Sequence, residues 1–66
     1  MEYEIEYIMT TSGKYYRIGD VYVLDDSKIK KISNNAPKFC TVMLDNGKFG
    51  HILDVSEIWW YLVPNE

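Results

Sequence analysis

The sequence predicts an all-β fold: a small antiparallel barrel of five or six strands with one short 3-10 turn. Three observations carry this. Residues 1–9 alternate with a period of two, the signature of a strand that buries one face. The apolar runs are rich in Val, Ile, Tyr and Trp, and no stretch holds helical spacing long enough for a stable helix. Asn46-Gly47 lies between two apolar runs, which is the strongest short-range hairpin signal a sequence offers.

The elements follow in order. In residues 1–9, Met1, Tyr3, Ile5 and Tyr7 fall on one face and Glu2, Glu4 and Glu6 on the other. Thr10 to Lys14 is a turn, with Gly13 suited to positive φ. Tyr15 to Ile18 resumes an extended pattern, and Gly19-Asp20 turns the chain again. Val21 to Leu24 is a short β-branched and aromatic strand, ended by Asp25, Asp26 and Ser27. Lys28 to Ser33 reads as a strand with a bend or bulge. Asn34-Asn35-Ala36-Pro37 reads as a loop, because Pro37 restricts Ala36 and donates no hydrogen bond. Strands over 38–44 and 48–53 flank the hairpin turn. Gly50 marks a place where backbone or a large ring comes close. Asp54 and Glu57 have the spacing of a capping box around one tight helical turn. Ile58 to Val63 is the closing strand, and Pro64-Asn65-Glu66 is a polar end.

With 66 residues the chain is expected to form one domain, 1–66, with no internal repeat or linker. Hydrophobic residues make up 47% of it and aromatics 15%, too rich for a disordered segment. A domain this short buries only about 60% of the surface its extended chain exposes. Large rings raise the burial per residue. The expected core draws on Tyr3, Ile5, Ile18, Val21, Val23, Val42, Leu44, Ile52, Ile58 and Trp60. Any one-residue slip in register exchanges the two faces of a strand.

The order of these signals resembles the Src-homology-3-like small barrel. The early part is Tyr16-Arg17-Ile18-Gly19-Asp20-Val21-Tyr22-Val23. The late part is the hairpin Asn46-Gly47-Lys48-Phe49-Gly50-His51-Ile52, then Asp54 to Glu57, then Ile58 to Val63. The resemblance implies a fold and not an activity. Members that bind proline-rich peptides place clustered aromatics in a groove and a tryptophan at the head of the middle strand. Lys38-Phe39-Cys40 stands there instead, and both tryptophans lie in the last strand. Short acidic chains of this kind also resemble small phage and mobile-element proteins.

The inventory speaks against an enzyme. His51 is the only histidine and Cys40 the only cysteine, two soft ligands against the four usual for structural zinc. Their pairing as base and nucleophile has no support from spacing. The serines have no triad context, and no phosphate loop or dinucleotide fingerprint appears. No metal and no cofactor is expected. One cysteine excludes an intrachain disulfide. The first residues lack a basic segment followed by an apolar one and so do not read as a signal peptide, and no run approaches the roughly 20 apolar residues that span a bilayer. A cytoplasmic location without membrane partners is the expectation.

Function is narrowed rather than read. Trp59 and Trp60 are adjacent, so in a strand they point to opposite faces. Ile58, Trp60 and Leu62 share one face, and Trp59, Tyr61 and Val63 the other. A strand apolar on both faces in so small a chain suggests a surface covered by something else, either a loop or a partner. The leading expectation is therefore a non-catalytic protein-interaction module. It would bind another protein or a copy of itself through Trp59, Tyr61, Tyr15, Tyr16 and Tyr22. One alternative is single-stranded nucleic-acid binding through Lys28, Lys30 and Lys31, the only dense basic cluster. Against it stands the formal charge of −3, which disfavours attraction to phosphates. A second alternative is an acidic inhibitor that occupies the basic surface of a nucleic-acid-binding protein through Glu2, Glu4 and Glu6.

Overall fold

A computed structural model describes residues 2–64. Met1, expected on the core face of the first strand, and Asn65 and Glu66 of the expected polar end lie outside the described residues. Seven strands run in order: β1 (Glu2–Thr10), β2 (Tyr15–Arg17), β3 (Val21–Tyr22), β4 (Ser27–Ala36), β5 (Phe39–Leu44), β6 (Phe49–Ile52) and β7 (Val55–Val63). They form a three-stranded sheet, β2-β1-β7, and a four-stranded sheet, β3-β4-β5-β6. Every pairing is antiparallel.

The core lies between the sheets. It consists of Ile5 and Ile8 from β1, Tyr22 from β3, Ile29 and Ile32 from β4, Cys40, Val42 and Leu44 from β5, Ile52 from β6 and Val55 from β7. Tyr16, Ile18 and Ile58 pack against it half-buried. Of the expected core, Ile5, Val42, Leu44 and Ile52 are buried. Tyr3, Val21, Val23 and Trp60 are exposed.

Two bulges bring further residues into the core. In β1, Ile5 pairs with Trp60 and Tyr7 with Trp59, so Glu6 is the extra residue. Past it the inward set changes from Ile5 to Ile8 and Thr10, and Tyr7 turns outward. In β4 the ladder passes from Ile29 to Lys31, leaving Lys30 extra. This is the bend expected in Lys28 to Ser33, and it keeps both Ile29 and Ile32 inside.

Three other expectations are corrected. The strand at Val21 to Leu24 stops at Tyr22, because the Asp25 and Asp26 amides donate back to the Tyr22 carbonyl in a turn. Val23 and Leu24 are left at the surface. The segment Asn34 to Ala36 continues β4, and the loop shrinks to a turn at Pro37 and Lys38. Lys38 has φ +64°, and the Asn34 amide closes the turn by donating to the Ala36 and Phe39 carbonyls. No 3-10 turn or other helix occurs among the described residues. Asp54 adopts φ +57° and Val55 begins β7 directly. Asp is one of the few residues that tolerates a single left-handed position.

The expectations for Gly47 and Gly50 hold. Gly47 has φ +88° in the β5–β6 turn, where its amide donates to the Leu44 carbonyl. Gly50 lies directly beneath the Tyr22 ring.

Cys40 is a free, fully buried thiol. Burial pushes its pKa up, and the Asn34 amide, 3.6 Å from Sγ, pulls it partly down. Burial likewise raises the Tyr22 phenol. A group that holds its proton more tightly when folded stabilises the fold below its unfolded pKa and loses that contribution as pH rises through the folded one. Stability should therefore decline above about pH 8.5, the ordinary thiol value, and thermal melts between pH 7 and 11 would show it. A Cys40→Ala variant that declines over the same range from 8.5 to 9.5 would remove the thiol as the cause.

Candidate functional site

The site is built on β7 and the solvent face of its sheet. β7 has β1 on one side and, among the described residues, no strand on the other. Only its first residue is tied across to the second sheet, through the Val55 amide to the Lys38 carbonyl. The rest is an edge. Glu57 is its single charged residue, and Ser56 and Glu57 its only polar ones. Long edges in natural proteins are generally protected by lysine, proline or a covering segment. β7 from Ile58 to Val63 has no such protection within the described residues.

Register assigns the faces. Tyr7 stands opposite both Trp59 on β7 and Arg17 on β2, so these three share the outer face. The Tyr7 ring stacks on Trp59 with centroids 5.5 Å apart and planes 20° apart. On its other side it meets Tyr15 at 4.8 Å, tilted by 37°. The result is a ladder of three rings across three strands. Tyr61 extends it along β7 opposite Glu4. The Trp59 indole Nε1 donates to Glu57 Oε1 at 3.2 Å, and Arg17 Nη2 donates to Glu6 Oε2 at 2.8 Å. Packing among the rings raises the Tyr7 phenol, and neighbouring Tyr15, Glu57 and Glu6 raise it further against the opposing pull of Arg17. The phenol is therefore neutral and able to donate a hydrogen bond at physiological pH.

The other face of β7 also reaches beyond its cover. Tyr3 pairs with Leu62 and Ile5 with Trp60 on the inward side. Ile5 is buried, but Tyr3, Trp60 and Leu62 overhang the second sheet and are exposed. A cleft of about 250 Å³ runs between Trp60 and the Lys31–Asn34 stretch of β4. Trp59 and Trp60 are thus 50% and 51% exposed on opposite faces of one edge strand.

The five aromatic residues singled out from the sequence separate into two groups. Trp59, Tyr61 and Tyr15 meet on the outer face. Tyr16 and Tyr22 lie with the core side, their ring centroids 6.2 Å apart. With Lys14, Tyr15, Val21, Val23 and Leu24 they line a separate cleft of about 350 Å³. Strict alternation puts Tyr7, the central ring of the ladder, on the same face as Tyr3 and Ile5. The bulge at Glu6 corrects that. Glu2 and Glu4 lie on the same outer face, opposite Val63 and Tyr61, with Glu6 beside Arg17. The acidic row and the aromatic ladder therefore share one surface. Lys28, Lys30 and Lys31 are exposed on β4, in the other sheet.

No group of three or more His, Cys, Asp or Glu side chains that could hold a metal occurs among the described residues. His51 pairs with Thr41, next to Cys40, and so faces away from the thiol. The inward Cys40 and the outward His51 do not form a pair. No helix among the described residues is long and apolar enough to cross a membrane. Comparisons with protein-family models, curated proteins and solved structures give no match.

Proposed function

We propose that the protein is a non-catalytic interaction module that binds another protein, or a second copy of itself, along β7. The single observation that carries this is an edge strand of nine residues with both tryptophans half exposed on its two faces. A strand added to that edge would gain main-chain hydrogen bonds from the backbone and apolar contacts on either side. Tyr7 and Tyr15 hold Trp59 in a fixed orientation, so little side-chain freedom is lost on binding. The proposed contact does not use a proline-peptide groove.

Each half-exposed tryptophan offers roughly 100 Å² for burial, which at about 25 cal/mol per Å² is worth about 2.5 kcal/mol. Trp59→Ser should weaken the association about 30- to 70-fold and leave the far-UV circular dichroism spectrum close to wild type. Sedimentation at several concentrations reads the self-association, and titration with an isolated partner reads the other case. Slowed hydrogen exchange of residues 58–63 on association would locate the contact. A Trp59→Ser chain that unfolds, or one that associates as tightly as wild type, would overturn the assignment.

A further inference from the structure

We infer that the outer face of the four-stranded sheet is a second, independent site, which binds single-stranded nucleic acid. The net charge of −3 hides an uneven distribution. Of the seven basic residues, Lys28, Lys30, Lys31, Lys38 and Lys48 belong to this sheet and its turns. Glu2, Glu4, Glu6 and Glu57 belong to the other sheet. The bulge at Lys30 is central to this. By adding one residue between buried Ile29 and buried Ile32, it turns both Lys30 and Lys31 to solvent.

Rings stand beside these cations on the same face. Lys31 pairs with Met43, and Met43 with Phe49. Ser33 pairs with Thr41, and Thr41 with His51. Cross-strand partners share a face, so two rows run side by side across β4, β5 and β6. Phe39 packs against His51 with ring centroids 5.7 Å apart, and Phe49 is 61% exposed. His51 and Phe49 are two residues apart on one strand, about 6.8 Å along it. That is twice the 3.4 Å rise of a stacked nucleic-acid strand, the spacing suited to bases that have been unstacked from one another. Ser33, Asn35 and Thr41 add hydrogen-bonding groups; Asn35 donates to the Thr41 hydroxyl, which lies 3.3 Å from His51 Nδ1.

Asp25, Asp26 and Asp45 gather at one end of this face, Asp54 follows β6 at the other, and Glu2 and Glu4 of β1 border the cleft beside Lys31 and Ser33. Asp25 is engaged by Lys48 at 3.8 Å and by Asn46. The Asp45 amide donates to the Lys28 carbonyl, and Asp26 lies in the β3–β4 turn. Among the described residues, Lys30, Lys31 and Lys38 form no ion pair. Charge complementarity to phosphate together with a row of open rings favours a single strand over a duplex, whose bases are not available for stacking.

The test is fluorescence anisotropy of labelled dT12 and rU12 with the intact protein at 50 mM salt, repeated at 200 mM. Binding should weaken roughly 15-fold between the two, as expected for about three phosphates neutralised on a single strand. Phe49→Ala should weaken it roughly 5- to 100-fold, and Lys31→Glu should also weaken it, with circular dichroism unchanged in both. Trp59→Ser should leave it unaltered, which separates this site from the one proposed on β7. Four results would each overturn the inference: no anisotropy change at 100 µM protein, equal binding of a duplex, full competition by polyglutamate, or binding indifferent to Phe49→Ala.

Discussion

Replacing Gly50 with alanine is expected to destabilise the protein by about 1–3 kcal/mol, and replacing it with valine by more. On strand propensity alone both changes should help, since glycine inside a strand costs about 0.5–1 kcal/mol relative to alanine. Steric contact reverses the sign. A Cβ at Gly50 would lie 2.6 Å from Tyr22 Cζ, 2.7 Å from its Oη and 2.9 Å from Cε2. The phenol ring is stiff and buried, so it must either strain in place or leave the core. A chain of 66 residues has on the order of 3–10 kcal/mol of total stability. Gly50→Val should therefore leave a substantial unfolded population at 25 °C, visible in urea titration as a midpoint lowered by roughly 1–3 M. Tyr22→Ala supplies the control. If the ring is the obstacle, Gly50→Ala costs much less in the Tyr22→Ala background than in wild type. Equal costs in the two backgrounds would show that the cause is elsewhere.

The pair Gly50 and Tyr22 also shows what a sequence reveals and what it hides. Gly50 is legible as a place of close approach because glycine inside a hairpin strand calls for an explanation. The ring that approaches is not legible, because Val21-Tyr22-Val23-Leu24 is apolar at every position and period two cannot choose a phase. The expectation turned Val21 and Val23 inward. The fold turns Tyr22 inward, since only Tyr22 finds the space above Gly50, 28 positions away in the chain. Asn34 is misleading in a similar way. Its side chain looks like a loop signal, yet it closes the turn from within a strand by binding the Ala36 and Phe39 carbonyls.

The candidate site was legible where the argument did not depend on phase. β7 is apolar on both faces in any register, so its surplus of apolar surface could be read directly. That β7 lies at a sheet edge is topology, and no local pattern encodes it. The ladder around Trp59 was half visible: Tyr15 was selected, while Tyr16 and Tyr22 were grouped with it although they pack on the core side. The total charge says nothing of where the charges stand: Lys28, Lys30 and Lys31 lie on β4 in one sheet and Glu2, Glu4, Glu6 and Glu57 on β1 and β7 in the other, and topology is what separates them.

Ile8→Ala is expected to cost about 2–5 kcal/mol, which for a chain of this size approaches its whole stability. Tyr7→Ala should cost less, about 1–3 kcal/mol for its two ring pairs. Strict alternation from Ile5 gives the opposite order, placing Tyr7 and Met9 inside and Ile8 outside. The bulge at Glu6 inverts it. Ile8 is fully buried and faces Ile58 across the ladder, and removing its branch leaves a cavity bounded by a well-packed core. Tyr7 loses only its surface stacking on Trp59 and Tyr15, an aromatic contribution of about 0.5–1.5 kcal/mol per pair. Urea unfolding of the two variants therefore ranks them by the phase of β1. If Tyr7→Ala proves the more damaging, β1 has no bulge at Glu6, and Tyr7 could not belong to the aromatic ladder. The same ranking has a functional consequence. Tyr7→Ala should keep the fold but release Trp59 from its stack, so binding along β7 should weaken through lost orientation. Ile8→Ala should lose binding only in proportion to the fraction unfolded. Measuring association at a temperature where both variants are folded separates the two: a normal affinity for Ile8→Ala beside a reduced one for Tyr7→Ala is the outcome that the ladder requires.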